Sequence, residues 1–488
     1  MAATRDKPRA NSVPGLQKPL LEQTTKRCSK TERLETGEVA RGRPRTKKDS
    51  QSMMLASHLK RLEAKFPVCD RPELGDCVHW AGVEQLPVHR WFRYREGYSP
   101  LLFSHFTDSE SRFDPFCGCG TTLLSSSSEG VNSFGLDLNP LATFVATVKT
   151  RRYTVADRKA FAAKAAAAVT EWRNCLAAII PAYPLLSKLF QPEILNTLLR
   201  LQTFIDDVPS EKCRNLLKLA WLSILEKTSN VFKEGNGLKY RNKRRRPGKY
   251  ITIPDNEWIP KYFGINLPGF VINLWKRKCL DISSDLEHYP QAAYSEPEVR
   301  TGSCFDAENL DFGRRADLAV FSPPYANRFD YFEAFKVELW MGGFVKSTAD
   351  MAALRAKSMR NNLSAPRVDV AEWSKLSPFL DAMDEEASSV RMGIKKALAG
   401  YFDDMRNLLN NIKENLTRNG KVVIVVGNSA YAKSIIPTDL LICEVAIEEG
   451  YRVQAMDIAR PLHVSSQQRS GLKQMESFMR ESVIVLRK

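Results

Sequence analysis

The sequence predicts an α/β protein: a doubly wound, Rossmann-like sheet with a helical insertion. Three observations predict it. A strand–glycine loop–helix–strand–acid unit runs from Phe113 to Thr150. A short apolar strand, Asp317 to Phe321, stops at Ser322-Pro323-Pro324-Tyr325. Between them the apolar residues recur at helical rather than strand spacing.

The elements follow in order. Residues 1–52 are rich in Lys, Arg, Thr, Pro, Glu and Ser, with few aromatics, and read as a disordered basic arm. Within it, Arg41-Gly42-Arg43-Pro44-Arg45 resembles an AT-hook, a segment that lies extended in a narrow A·T minor groove. Arg43 and Arg45 are its candidate DNA contacts; a plain basic linker fits the segment equally well. Residues 53–150 form the first part of the α/β domain. Asp114-Pro-Phe-Cys-Gly-Cys-Gly-Thr-Thr122 is the glycine loop, a helix follows over 121–129, and Asn132 to Asp137 is a second strand. Residues 151–295 read as the insertion, with helices over 160–178, 192–204, 211–225 and 268–286 and a basic loop at 239–249. Residues 296–488 complete the α/β domain. A helix over 401–416 should be capped at Asn419-Gly420, and strands are expected at 421–426, 451–458 and 482–486.

Charge is concentrated. The 488 residues carry a formal net charge of +16. Residues 1–50 hold +7 of it and residues 239–249 another +7, so the remaining body is nearly neutral. Two basic segments on a neutral body suit an anionic polymer, nucleic acid first. Arg241, Lys243, Arg244, Arg245 and Arg246 are the candidate phosphate contacts. The ten cysteines are scattered and include no C-x-x-C pair, which suits a reducing cytoplasm and no metal site, although Cys69, Cys77 and His79 lie near one another. No run approaches 18 apolar residues and the N-terminus lacks a secretory pattern, so neither membrane insertion nor export is expected.

Each loop has a chemistry. Gly118 and Gly120 let backbone approach a ligand, Asp114 stands at a strand end, and Asp137 is placed to meet ribose hydroxyls. Leu123 occupies the position of a third glycine, which favours an adenosine without a pyrophosphate, as in S-adenosylmethionine, over a dinucleotide. In the second loop, the Ser322 hydroxyl and the Pro323 carbonyl are placed to accept from an exocyclic amine, and Tyr325 to stack on a base swung out of its helix. Two prolines make that turn rigid. Both loops leave the carboxyl ends of strands in one sheet, so both face one crevice.

These residues together resemble the amino-methyltransferases of DNA. Asp114-Pro115-Phe116-x-Gly118-x-Gly120-Thr121 resembles the family's cofactor motif, and Asp137 its ribose-holding acid. Ser322-Pro323-Pro324-Tyr325 resembles its catalytic motif, in the serine form similar to cytosine-N4 enzymes; adenine-N6 enzymes mostly carry Asp or Asn there. Ser99, in Tyr98-Ser99-Pro100, resembles a contact to the methionine part of the cofactor. Within 301–306 the adenine-contacting acid is ambiguous, and Asp306 is chosen. Cys117 and Cys119 depart from the small residues more usual there, and the insertion is not a standard place for target recognition.

The resemblance implies an S-adenosylmethionine-dependent fold and direct methyl transfer to the N4 amine of cytosine in double-stranded DNA. It also implies a cytoplasmic, nucleoid-associated enzyme of bacterial type, with a separately encoded restriction endonuclease as an optional partner. Adenine-N6 transfer, transfer to RNA, and a non-catalytic DNA-binding role remain the alternatives.

Overall fold

A computed structural model describes residues 47–95, 97–183, 185–235, 237–288, 295–361, 369–463 and 472–488. Arg43 and Arg45 lie outside them. Helix Lys47–Glu63 claims residues 47–52, so any arm ends before Lys47 rather than at residue 52.

The central sheet has eight strands: β1 (Val68–Asp70), β2 (Ser111–Asp114), β3 (Asn132–Asp137), β8 (Glu298–Thr301), β9 (Ala316–Phe321), β10 (Leu416–Gly427), β13 (Arg452–Pro461) and β14 (Arg480–Arg487). Between β3 and β8 come the short strands β4 (Val231–Glu234), β5 (Gly237–Tyr240), β6 (Lys243–Arg246) and β7 (Lys249–Thr252); β11 (Ser429–Tyr431) and β12 (Ser434–Ile436) follow β10. The sheet order is β1-β13-β14-β10-β9-β2-β3-β8. All neighbours are parallel except β14, which runs antiparallel to both β10 and β13. The order reverses between β2 and β9, the place where doubly wound sheets open a ligand crevice. Both expected loops leave from those two strands.

Alternation along the strands builds a core on each face. On β9, Ala319 and Phe321 join one apolar cluster while Leu318 and Val320 join another; on β10, Val422, Ile424 and Val426 oppose Val423 and Val425 in the same way. Helix Thr121–Glu129 follows the glycine loop and helix Pro140–Thr150 follows β3. Asn139 caps the latter by accepting from the Leu141 amide at 3.0 Å, ahead of Pro140 at the first helical position.

The segment 151–295 is mostly helical, with helices Val155–Glu171, Pro192–Asp206, Glu211–Thr228 and Leu267–His288. One expectation is corrected here. The basic stretch 239–249 is not a loop: it belongs to two antiparallel hairpins, β4–β5 and β6–β7. Phe161, Leu217, Trp221 and Trp275 of this segment share one apolar cluster with Trp91, Tyr94, Phe335 and Trp340. Asp285, on the last of these helices, fastens that junction by accepting from the Val88 amide and the Trp91 indole, both at 2.9 Å, and from Arg90.

The last helix before β10 runs Ile394–Glu414, and Asn419-Gly420 lies inside β10 rather than at a helix cap. The strand starts early, at Leu416 opposite Ala316, and takes up the extra residues as a register shift before Lys421 meets Leu318.

Candidate active site

The glycine loop is fixed by its own side chains. Asp114, 2% exposed at the end of β2, accepts from the Phe116 amide and the Tyr98 phenol, each at 3.0 Å, and from the Thr122 hydroxyl. Burial pushes its carboxyl up to about 7, against these three donors, which pull it down. The loop is then tied to β3: the Cys117 amide donates to the Leu136 carbonyl at 2.9 Å, and the Gly118 amide to Asp137 Oδ2 at 2.9 Å. Asp137 Oδ1 accepts from the Asn139 amide at 2.8 Å. Burial raises Asp137 to about 6, and the two amides oppose the shift. Gly118 and Gly120 take φ of +49° and +87°, so the turn needs glycine at both positions.

Sequence reasoning missed Gly135. A Cβ there would fall 2.8 Å from the Asp114 carbonyl and 3.0 Å from Cys117 Cβ. A glycine inside an otherwise apolar strand is the signal that could have found it.

A cavity opens over this loop. Asp114, Pro115, Phe116, Gly118, Thr121 and Asp137 line it from one side, and Ser322 and Pro324 from the other. Residues 303–305, 329–332 and 357–359, with Tyr94, Gly97 and Trp80, also line it, none of them among the expected contacts. Tyr94 is held there by stacking on Phe335, with centroids 4.7 Å apart and planes 8° from parallel.

Three expected cofactor contacts lie elsewhere. Ser99 is buried outside the cavity lining and caps the short helix Pro100–His105 by accepting from the Leu101 amide. Gly120 faces helix Pro140–Thr150, where a Cβ would press within 3.0 Å of Ala146. Asp306 is exposed and bonds to the Asn309 amide group at 3.3 Å; its neighbour Phe305 is the residue on the cavity.

A second cavity, about 270 Å³, adjoins the first. Ser322, Trp80, Gly97 and Tyr331 border both cavities. Its polar wall is a chain of contacts: the Tyr325 phenol donates to Glu481 Oε1 at 2.7 Å, and Arg460 Nε donates to Oε2 at 2.6 Å. Burial and the Glu481 carboxylate push the Tyr325 phenol well above its ordinary range. The Tyr325 ring lies where a Cβ on Gly427 would come within 3.0 Å of it, so β10 supports the ring directly. Behind the turn, Asn361 donates to the Phe329 carbonyl at 2.9 Å and Tyr431 to the Ala326 carbonyl at 2.6 Å. Pro323 is buried under the turn.

The basic residues separate by role. Arg241 donates to the Ser229 and Glu226 carbonyls at 3.1 and 3.2 Å, and its guanidinium lies 5.5 Å from the Phe232 ring and 5.7 Å from that of Tyr262. It is a strut of the hairpin root rather than an open phosphate contact. Lys243, Arg244, Arg245 and Arg246 are exposed.

No family model matches the chain. It is 24% identical over 427 residues to the Type II methyltransferase M.BsoBI of Geobacillus stearothermophilus, covering 77% of this chain and 81% of that one. It is 23% identical over 475 residues to the Type II methyltransferase M.AvaI of Nostoc sp., covering 84% and 88%. A 73-residue stretch, 14% of each chain, is 34% identical to the Type II methyltransferase M.MjaII of Methanocaldococcus jannaschii. Among solved structures, the rRNA methyltransferase aviRa from Streptomyces viridochromogenes aligns over 85% of this chain and 90% of its own at 9% identity, with a TM-score of 0.25. These relatives bear out the resemblance to methyltransferases, and the sheet order bears out the doubly wound α/β fold. Among the described residues, no helix is long and apolar enough to cross a membrane.

Proposed function

We propose that this chain transfers a methyl group from S-adenosylmethionine to the exocyclic N4 amine of cytosine in double-stranded DNA. One observation carries the reading: Ser322 borders both cavities, so a hydroxyl acceptor stands where the two ligands would meet.

The first cavity suits the cofactor in its chemistry. Asp137 presents a carboxylate for ribose hydroxyls while its amide donors fix its orientation. Phe116 and Phe305 offer apolar faces for an adenine. Tyr98, rather than Ser99, lines the cavity, and its phenol lies 3.4 Å from the Val320 carbonyl on the catalytic turn's strand. When bound, S-adenosylmethionine supplies an electrophilic methyl carbon.

The rest is the work of this chain. A flipped cytosine enters the second cavity, at a cost of a few kcal/mol offset by aromatic contact with Tyr325, Tyr331 and Trp80. An amine conjugated to the ring is a weak nucleophile. The Ser322 hydroxyl and the Pro323 carbonyl would accept hydrogen bonds from it and aim its lone pair at the methyl carbon; as the N–C bond formed, the S–C bond would break, S-adenosylhomocysteine would leave, and the amine would lose one proton to solvent. The enzyme so described works in the bacterial cytoplasm at the nucleoid, beside a separately encoded restriction endonuclease where one exists.

The test is mass spectrometry of nucleosides from duplex DNA incubated with the protein and methyl-labelled S-adenosylmethionine. Labelled N4-methylcytosine is expected. Labelled N6-methyladenine would keep the methyltransferase and overturn the base. Label in RNA alone, or none at all with cofactor bound, would overturn DNA methylation.

A further inference from the structure

The hairpin of β6 and β7 stands on the surface without a core beneath it. Every residue from Lys243 to Tyr250 is exposed, as is Thr252, and Ile251 is half-buried. Two strands alone gain little stability in water. The hairpin is held at its root instead. The Ile253 amide donates to the Asn242 carbonyl and the Arg241 amide to the Asn230 carbonyl, both at 2.7 Å, and Arg241 is clamped as described above. At the tip, Pro247-Gly248 makes the turn, with Gly248 at φ +75°.

The register sorts its side chains. Lys243 pairs with Thr252 and Arg245 with Tyr250, so these four share one face. Arg244 pairs with Ile251 and Arg246 with Lys249 on the other. Residues 243–252 carry five cations and no acid. The first face is exposed throughout; the second leans on the body through Ile251.

We propose that this ribbon is a reading arm that enters the major groove of duplex DNA, with Lys243, Arg245 and Tyr250 turned to base edges and Arg244, Arg246 and Lys249 to the flanking phosphates. The proposal rests on the DNA-methyltransferase reading above and adds where the sequence is read. Two strands lie about 4.8 Å apart, and a major groove about 12 Å wide admits such a ribbon. Arginine at a groove floor pairs with the O6 and N7 of guanine, whereas cations at the walls meet phosphates without regard to sequence.

The test uses the full chain with Arg245→Ala and with the double variant Arg244→Ala/Arg246→Ala. All three side chains are exposed, so melting temperatures should match the parent. Binding to duplex pools of varied sequence is followed by fluorescence anisotropy over a salt series, and methylated positions are mapped by sequencing. Arg245→Ala should blur the methylated pattern at one base position, with roughly tenfold or greater loss of preference there. The double variant should weaken binding to every duplex and reduce the salt slope by about 2. If both variants keep the parent's pattern and slope, the proposal falls. If they lose affinity for structured RNA and not for duplex DNA, it falls as well. Failure of the parent to methylate DNA would strike the reading of the active site, while the salt slopes would still decide the ribbon.

Discussion

The two sides of Ser322 are built in different ways. On the cofactor side, the fixing contacts are short in sequence: Asp114 meets Tyr98 across 16 positions, and Gly118 meets Asp137 across 19. On the base side, Tyr325 meets Glu481 across 156 positions, and Arg460 arrives from a third strand. The glycine loop that floors the first half is a property of one strand–loop–helix unit, although residues 303–305 and Tyr94 also wall its cavity. The second exists only because β14 is inserted between β10 and β13, which carries Glu481 and Arg460 to the carboxyl end of β9. A local unit survives damage to a distant one, so the two sides should fail separately.

The strongest way to break that comparison is Tyr325→Ala. It removes the aromatic wall and leaves the Glu481 carboxylate, 4% exposed, with Arg460 as its remaining partner in the chain described above. Turnover should fall by about 100-fold or more, the scale of losing a positioned donor or wall in an active site. Cofactor affinity, measured by calorimetry, should stay within about twofold. A parallel loss of cofactor binding would show that the halves are one unit. Tyr325→Phe sharpens the point, since it keeps the ring and deletes only the hydrogen bond to Glu481.

Asp137→Ala is the converse. It leaves the Gly118 and Asn139 amides without their acceptor and removes the carboxylate offered to ribose. Lost hydrogen bonds of this kind cost about 1–3 kcal/mol, so cofactor affinity should weaken by about tenfold or more. At saturating cofactor, kcat should recover most of its parent value. A kcat that stays low would place Asp137 on the base side as well.

This division also explains what the sequence made legible. The helix at 121–129 and the strand at 132–137 could be placed because a glycine loop, an acid and a change of periodicity lie next to one another. Ser322 and Tyr325 were legible because two prolines punctuate a strand end. Glu481 was not, since nothing near it in sequence distinguishes it from an ordinary residue of a closing strand; its role depends on strand order. The hairpins at 231–252 were missed for a related reason. Runs such as Lys243 to Arg246 show no apolar alternation because neither face is buried, and without burial there is no period to read.

A smaller effect, of pH, belongs to the cofactor side. Asp114 is pushed up to about 7 by burial and Asp137 to about 6, whereas carboxyls of an unfolded chain titrate near ~4. The folded chain therefore holds protons over that window that the unfolded chain has shed. Their contribution to stability is complete below pH ~4 and is lost as the pH rises through 6 and 7. Thermal melting from pH 4.5 to 8 should show it as a falling trend, and Asp114→Asn should flatten the trend because the amide has no proton to lose. An unchanged slope in that variant would mean that Asp114 does not titrate in this range.

The smallest effect is the sharpest boundary. Asp306 is the acid that the motif suggests for the cofactor's adenine, yet it is exposed and bonds to Asn309 within its own turn. It stands at the start of a four-residue helix, Ala307–Leu310, without capping it by a side-chain bond. Phe305, one position earlier, lines the cavity instead. Asp306→Ala should therefore change cofactor affinity by no more than about twofold, in keeping with an exposed substitution worth within ~0.5 kcal/mol. Phe305→Ala should weaken it severalfold, because an aromatic face on the ligand is lost. The reverse ranking in a calorimetric titration would mean that the turn at 303–306 rearranges to bring Asp306 inward on binding, and that the cofactor side is not the preformed half.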